Sequence, residues 1–410
     1  MKKRSPIDSI LDAARTVPPV PSLARAADER ALRAAADAIA NVAADEETMS
    51  RAEGHLLSSG PPLPVGQILA IKLARSLAAA ERFDRPITLH VVFAMFRERN
   101  RLYPPARLNP HGEDLLRNKI GQLEHLFARS DADWTLTAVD DGCPEASGRL
   151  AREIVNDSFP HYADARKVEV LFLEEAIAGG EPEAAGISDV AMSTKGGSIL
   201  YGLRKCAARS AAGDVLLFTD ADLSTHLGQA GLLIAPIVKG DADVVAGSRR
   251  EPDSAQIKSA ARSSRGRLFI HLWKRMLPLL ADVIDSQAAF KAFRADSTRP
   301  VLAAAGEIGF AIDIELLLLA EIHGLKIAKG GICWIDSEIE SSTTGQETHL
   351  AMLKSVAEFR RRHLPLSTPG GEIAAMIESF TLSEWNDLLE NPPEALLAVP
   401  LDRLGDPALL

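Results

Sequence analysis

The stretch GDVLLFTDADLSTHLG, residues 213–228, joins a strand pattern to two carboxylates. DVLLFT is a short apolar run that predicts a buried strand, and Asp220 and Asp222 follow at the point where that strand ends. The tripeptide Asp-Ala-Asp also begins at Asp131 and at Asp241, but there it precedes a predicted strand. Ligands of open α/β sheets bind beyond the carboxyl ends of the strands. Position therefore favours the first pair as the ligand site and makes the other two tripeptides turn residues.

Other apolar runs of the same kind surround this strand in the chain. They are PITLHVVFAM (86–95), DWTLTAV (133–139), KVEVLFL (167–173) and ADVVAGS (242–248). Helical patterns separate them at 112–130, 146–158 and 196–211. Strands that alternate with helices predict an α/β fold, with a mostly parallel sheet that is flanked by helices on both faces.

Both ends of the chain predict helix without strands. Residues 1–85 contain the helical pattern LARAADERALRAAADAIANVAADEE, which SSGPPLPVG breaks at 58–66. Two more helical patterns and a loose tail follow the α/β region. We therefore expect a helical N-terminal extension (1–85), a catalytic domain (86–345) and a helical C-terminal extension with a tail (346–410).

Composition limits the function classes. The formal net charge of -10 argues against non-specific nucleic-acid binding. The three cysteines lie far apart in the sequence, which predicts neither a disulfide framework nor a zinc site and fits a reducing, cytoplasmic location. The chain has neither a secretory signal pattern nor an apolar run of membrane-spanning length. Peripheral membrane contact stays open, because residues 257–285 mix basic and apolar side chains; the favoured interpretation is a helix with a core face.

Charged side chains follow several of the predicted strands. Glu98 follows the first strand, Asp140 and Asp141 follow the second, and Arg249 follows the run at 242–248. Carboxylates that lie close together raise one another's pKa, and a divalent cation relieves that repulsion. Lys195 stands just before a predicted helix, whose N-terminus suits phosphate groups.

In this order, the pieces resemble the family-2 glycosyltransferases with the nucleotide-sugar-binding A-type fold. The resemblance covers roughly residues 86–340. It rests on VDDG (139–142), KGGS (195–198), LLFTDADLST (216–225), DVVAGSRR (243–250), DSQAAFKAFRAD (285–296) and FAIDIELL (310–317). Within the family, the motifs are most similar to those of polyprenyl-phosphate sugar transferases such as dolichyl-phosphate glucosyltransferase.

The resemblance implies three groups of site residues. The residues expected to bind the nucleotide sugar are Glu98, Asp140, Asp141, Lys195, Gly196, Asp220 and Arg249. The residues expected to hold Mg²⁺ or Mn²⁺ are Asp220, Asp222 and, from a late loop, His349. The residues expected to act in catalysis are Asp285, Gln287 and Asp313. Asp285 is the first candidate base and Asp313 the second. If the acceptor is itself a phosphate, no base is needed and Asp285 orients it. His226 is a weaker metal candidate, for which packing or capping is the favoured interpretation.

The predicted function is metal-dependent transfer of a hexose from a nucleotide sugar, with a UDP-sugar favoured over a GDP-sugar, to a phosphate- or hydroxyl-bearing acceptor. The acceptor stays open between a polyprenyl phosphate, a small phosphorylated metabolite and a glycan. One alternative is a sugar nucleotidyltransferase, but FAMFRERNRL after the first strand lacks the glycines expected there. The other is a catalytically inactive binding module, against which the set of strand-end carboxylates argues.

Overall fold

The computed structural model describes residues 5–42, 44–258, 263–337 and 346–409. Its strands are β1 (Thr88–Met95), β2 (Asp133–Asp140), β3 (Val168–Phe172), β4 (Val215–Thr219), β5 (Val244–Ser248), β6 (Ala255–Ile257), β7 (Phe290–Arg294), β8 (Ile327–Gly331) and β9 (Cys333–Ile335). Its first helices are α1 (Pro6–Ala14), α2 (Ala26–Ala40), α3 (Glu46–Leu57), α4 (Val65–Ala80), α5 (Arg99–Leu102), α6 (Leu115–Phe127), α7 (Ser147–Ser158), α8 (Pro160–Asp164) and α9 (Leu173–Ala178). The later ones are α10 (Gly196–Arg209), α11 (Ala230–Val238), α12 (Ser263–Met276), α13 (Ala295–Ala304), α14 (Ile312–Ile322), α15 (Gln346–His363), α16 (Gly371–Ser379), α17 (Leu382–Glu390) and α18 (Glu394–Ala398).

The main sheet has seven strands in the order β3-β2-β1-β4-β7-β5-β8. All neighbouring strands run parallel except β7, which is antiparallel to both β4 and β5. The predicted mostly parallel sheet is therefore confirmed. Because β7 runs the other way, Phe290 at its start pairs with Thr219 at the end of β4. This reversal brings the residues just before β7 to the edge where the parallel strands end. The sequence motifs did not predict β7 as a strand.

Side chains along the central strands alternate between two apolar cores, as the two-residue period of a strand requires. Leu217 points into the core that contains α2, α4, α6 and α11, whereas Leu216 and Phe218 point into the core that contains α10, α12, α14 and α15. Helices therefore cover both faces, and the described sheet is the centre of a three-layer structure.

The N-terminal helices pack directly on the sheet unit. Helix α4 is buried along most of its length, including Lys72, whose ammonium group is fully buried. Lys72 Nζ lies 2.7 Å from Glu53 Oε1 and 3.2 Å from Asp253 Oδ2, and it donates to the carbonyl oxygen of Gly331 at 2.9 Å. One core runs through these helices and the sheet. The other predicted boundary, at residue 345, lies outside the described residues.

Helix α12 lies within residues 257–285, the segment that mixes basic and apolar side chains. Its apolar side chains, including Phe269 and Trp273, are buried in the core, so the interpretation as a helix with a core face holds. The end of the chain, predicted as a loose tail, packs on this helix: Leu396 and Leu404 are buried. Its apolar residues are interrupted by prolines and irregularly spaced, so they show no period in the sequence. Within the described residues, no helix is long and apolar enough to cross a membrane.

Candidate active site

Asp220 and Asp222 lie in the loop that follows β4, as their position in the sequence predicts. The buried Lys119 of α6 fixes this loop, because its Nζ donates to the carbonyl oxygens of Asp220 at 3.0 Å and Asp222 at 2.9 Å. The Ser224 N–H donates to Asp222 Oδ1 at 3.0 Å. The side chain of Asp220 remains 47% exposed. The main chain of the loop is thus anchored while the carboxylate of Asp220 stays partly exposed to solvent.

A line of alternating charges runs inward from Asp220. Lys195 Nζ lies 2.8 Å from Asp220 Oδ1 and 3.7 Å from Asp313 Oδ2. Behind them, the fully buried Lys291 donates to Asp313 Oδ1 at 2.6 Å. Lys291 and Asp313 are fully buried, where opposite charges stabilise one another strongly, whereas Asp220 is partly exposed. The predicted nucleotide ligand Lys195 and the predicted catalytic Asp313 therefore belong to one ion-pair network.

The two carboxylates of the Asp-Ala-Asp tripeptide differ in their electrostatics. Burial raises the pKa of Asp222, and the neighbouring Asp220 raises it further. Burial also acts to raise the pKa of Asp220, but the ion pair with Lys195 lowers it. Asp222 therefore carries the carboxylate whose charge is less well compensated, and a cation at this point would relieve it.

Asp141 ties β2 to the start of α10. Its Oδ2 accepts from the Lys195 N–H at 2.7 Å and its Oδ1 accepts from Ser198 Oγ at 2.7 Å. The N–H of Gly197 donates to Ile308 O at 3.1 Å. A helix N-terminus suits a phosphate because its N–H groups are free. Here the N–H groups of Lys195 and Gly197 are not free, because they donate to protein acceptors. The ammonium group of Lys195 is the positive charge of this turn, and its contact with a phosphate stays a prediction.

The shape of this turn requires glycine at position 196 and gives Lys195 an unusual backbone conformation. A Cβ atom on Gly196 would lie 2.4 Å from Gly309 O, which is too close for any side chain. Lys195 has φ of 100°, a conformation that side-chain-bearing residues seldom adopt. Such strain persists where surrounding contacts enforce it and is common at functional sites.

Asp140 and Glu98 lie at the ends of β2 and β1. Asp140 accepts from the N–H groups of Cys143 at 2.9 Å and Gly148 at 2.7 Å, so its carboxylate holds the start of α7. Glu98 is buried and contacts Arg101 Nη1 at 2.6 Å. Burial raises the pKa of Glu98 to about 7, although Arg101 acts in the opposite direction.

Glu113 belongs to the same cluster, although no sequence pattern singled it out. Its Oε2 accepts from the Leu223 N–H at 2.9 Å, inside the Asp-Ala-Asp loop, and its Oε1 accepts from Ser337 Oγ at 2.7 Å. Burial raises the pKa of Glu113, with Asp222 adding to the effect. Arg101 Nε lies 3.3 Å from Glu113 Oε1 and partly compensates this charge.

Arg249, after β5, and Asp285, before β7, form a bidentate ion pair. Arg249 Nε and Nη2 donate to the two carboxylate oxygens at 2.8 and 2.7 Å, and the Arg249 N–H donates as well at 2.8 Å. Burial acts to raise the pKa of Asp285, but Arg249 holds it well below its usual range. A carboxylate that is so firmly ionised and bonded is a weak proton acceptor. The geometry therefore favours an orienting role for Asp285 over that of a base.

Unsatisfied polar atoms mark the wall between these groups. Ser286 Oγ, Gln287 Nε2 and Asp313 Oδ2 are buried and have no hydrogen-bond partner within the described part of the chain. Buried polar atoms are normally bonded, so each of these groups can take a ligand or water. The predicted catalytic residues Gln287 and Asp313 thus each have an unpaired polar atom, and their roles stay predictions.

The side chains around Asp220 and Asp222 show whether this part of the structure suits a metal ion. Over the described ranges, no group of three or more His, Cys, Asp or Glu side chains is arranged to hold a metal ion. Two carboxylates nevertheless suit Mg²⁺, which fills its shell with water and substrate phosphates. Asp220 and Asp222 therefore fit such an ion. The ring of His349 packs edge-on against Phe269 at 5.5 Å, and its ligand role stays a prediction.

His226 has a different partner. Its buried Nε2 lies 3.1 Å from Glu29 Oε2 on α2, and its Nδ1 accepts from the Gly228 N–H at 2.9 Å. The ring is therefore fully engaged by the protein, in agreement with the packing interpretation. This contact ties an N-terminal helix to the loop that carries the two aspartates.

Comparison with known proteins gives a sequence match to a glycosyltransferase. No family model matches the chain. Glycosyltransferase AglD of Haloferax volcanii is 26% identical over 226 residues, which cover 54% of this chain. The match spans only 30% of that relative's length. This sequence similarity confirms the predicted resemblance to glycosyltransferases.

The solved structures that the chain matches in part include two sugar-phosphoglycerate synthases. Glucosyl-3-phosphoglycerate synthase from Mycobacterium tuberculosis, in complex with Mn²⁺, UDP and glucosyl-3-phosphoglycerate, is 16% identical with a TM-score of 0.46, over 72% of this chain and 85% of that one. Mannosyl-3-phosphoglycerate synthase from Rubrobacter xylanophilus is 14% identical with a TM-score of 0.46, over 75% and 82% of the two chains.

Proposed function

We propose that the protein is a metal-dependent glycosyltransferase that moves a hexose from a nucleotide sugar to a phosphate- or hydroxyl-bearing acceptor. A UDP-sugar is the favoured donor. The observation that carries the proposal is the ion pair between Lys195 and Asp220 at the carboxyl end of β4, with Asp222 beside it and Asp313 behind it. A cation and paired carboxylates at this edge suit a diphosphate with its divalent ion.

The donor's leaving group sets the chemical demand on the site. When the bond from the anomeric carbon to the diphosphate breaks, negative charge develops on the nucleotide diphosphate. A bound Mg²⁺ or Mn²⁺, held by Asp220 and Asp222, would supply Lewis-acid stabilisation of that charge. Lys195 adds a fixed positive charge, since Asp220 and Asp313 raise its pKa against the effect of burial.

The sugar would lie against the unsatisfied wall of the cleft. Gln287 Nε2 can donate to a sugar hydroxyl, and Asp313 Oδ2 can accept from one. Asp313 would also stabilise positive charge that develops on the sugar ring during transfer. Lys291 and Lys195 hold this carboxylate in place from two sides.

Arg250 supports an anionic acceptor. Its side chain has no ion-pair partner within 4.0 Å over the described residues, although its neighbour Arg249 is fully paired. Burial lowers the pKa of Arg250, Asp285 acts in the opposite direction, and Arg249 and Arg267 add to the lowering, so a further negative ligand would be stabilising. An acceptor phosphate needs no proton removed before it attacks the sugar. That matches an orienting role for Asp285.

Calorimetric titration tests the donor. UDP-glucose, UDP-N-acetylglucosamine and GDP-mannose are each added with Mn²⁺ or with a chelator. We expect one donor to bind, and to bind at least tenfold more weakly without the metal. If all three fail to bind under every condition, the proposed function is wrong.

A further inference from the structure

The loop from β1 to α6, residues 96–112, exposes an unusual set of side chains. Its large apolar groups Phe96, Tyr103 and Leu108 are 48%, 43% and 96% exposed. Apolar side chains scattered singly on a surface need no explanation, but three within thirteen residues form a patch. Leu108 has almost no contact with the rest of the described protein.

The exposed charges of the same loop are all positive. Arg97, Arg99 and Arg107 are exposed, whereas the acid of this segment, Glu98, is buried and bonded to Arg101. Two bordering acids face these arginines, the buried Glu113 at 3.3 Å from Arg101 and Glu145 at 4.0 Å from Arg97. This local excess stands out in a chain with a formal net charge of -10.

The tip of the loop is ordered by its own backbone. Ala106 and Asn109 exchange two main-chain hydrogen bonds, of 2.9 and 3.0 Å, around Arg107 and Leu108. The side chain of Asn109 also donates to Asn100 O at 2.8 Å. A two-residue turn held in this way fixes an apolar and a basic side chain outward without using them for folding.

We propose that this loop docks the protein on an anionic membrane surface. Exposed leucine and aromatic groups enter the boundary between headgroups and acyl chains, and nearby arginines are attracted to anionic headgroups. A nucleic acid would use the arginines but leave Leu108 in water. The loop begins where β1 ends, and its residues Glu98 and Arg101 interact electrostatically with Asp222, so docking would hold the two site aspartates near the membrane surface.

Flotation with lipid vesicles tests the proposal without any donor, so its outcome is independent of the proposed transferase activity. The protein is mixed with vesicles of phosphatidylcholine alone or with one-fifth phosphatidylserine. We expect binding to the anionic vesicles only. Leu108→Ser should weaken that binding about tenfold. Arg99→Gln and Arg107→Gln should each weaken it about fivefold.

Matched variants control for general loss of apolar surface and charge. Leu366 is 80% exposed outside the loop, and Leu366→Ser should bind like wild type. Arg30 and Arg51 are exposed on the N-terminal helices, and the double change to glutamine should have little effect.

Three results would overturn the proposal. The first is a wild-type protein that stays with the soluble fraction or floats equally with neutral vesicles. The second is an equal loss of vesicle binding in the loop and control variants. The third is vesicle-independent self-association in sedimentation that Leu108→Ser abolishes, which would make the patch an interface between copies of this chain.

Discussion

Replacement of Glu29 by alanine tests how firmly the N-terminal helices hold the loop that carries the two site aspartates. Glu29 is buried, and its carboxylate faces His226 Nε2 at 3.1 Å and Arg33 Nε at 2.9 Å. Since His226 Nδ1 accepts from the Gly228 N–H, the proton of the ring lies on Nε2 and points at Glu29. The variant would leave that buried N–H without an acceptor.

The magnitude follows from the electrostatics of this pair. Burial alone would raise the pKa of Glu29, but His226 and Arg33 lower it from 4.5 to about 2. Because a tenfold change in a protonation equilibrium is worth about 1.4 kcal/mol, the lowered pKa corresponds to about 3 kcal/mol of stability. An unsatisfied buried donor costs about 1–3 kcal/mol, which agrees. We expect Glu29→Ala to lower the free energy of unfolding by about 3 kcal/mol at pH 7.

Urea unfolding, followed by tryptophan fluorescence, measures this loss. Glu153→Ala is the matched control, because Glu153 is exposed on α7 and its loss should cost under about 0.5 kcal/mol. The carboxylate of Glu29 stabilises the fold above pH 4.5, so the gap between wild type and Glu29→Ala should close as the pH falls towards 2. Equal losses in the two variants would refute the assigned role of Glu29.

Three further changes test the packing around the sheet. Lys72→Met removes a fully buried ammonium group and should cost about 3–5 kcal/mol in urea unfolding; a loss under about 1 kcal/mol would contradict the buried ion pair. Burial lowers the pKa of His271 from 6.5 to about 4, so the free energy of unfolding should fall by up to about 3 kcal/mol as the pH drops through that window. His271→Asn keeps an acceptor for the Gly405 N–H and should flatten this fall; an unchanged pH profile would count against it. Gly148→Ala places a Cβ 2.6 Å from Asp140 Oδ2 and should cost about 1–3 kcal/mol by the same assay, whereas wild-type stability would show that the loop yields.

The sequence predicted the sheet well where strands and helices alternate. All five predicted strands are present, because their apolar runs stand between clear helical periods. β7 escaped prediction, since Phe290–Arg294 is short and carries the buried Lys291. The antiparallel direction of β7 depends on tertiary packing and is not encoded by any local sequence pattern. This direction nevertheless decides where Asp285 and Gln287 lie, because it brings them to the edge where the parallel strands end.

The strand-end rule located most candidate site residues, but not the cations beneath them. Lys119 lies on the apolar face of α6, with Leu115, Leu116 and Leu123 three or four positions away. A lysine on the apolar face of a helix indicates a buried polar contact, and this pattern is visible in the sequence. Lys72 stands among leucines of α4 in the same way. Their partners could not be predicted, because carbonyl groups and carboxylates from distant segments supply them.

The central claim is that Asp220 and Asp222 form a metal-dependent nucleotide site. Calorimetric titration of UDP in the presence of Mn²⁺ tests it most directly, with wild type, Asp222→Asn and Asp241→Asn. Asp241 is the matched control, because it is exposed and begins an identical Asp-Ala-Asp tripeptide at the opposite end of a strand. We expect Asp222→Asn to weaken UDP binding at least tenfold, and Asp241→Asn to bind like wild type. Equal UDP affinity in all three proteins would contradict the account.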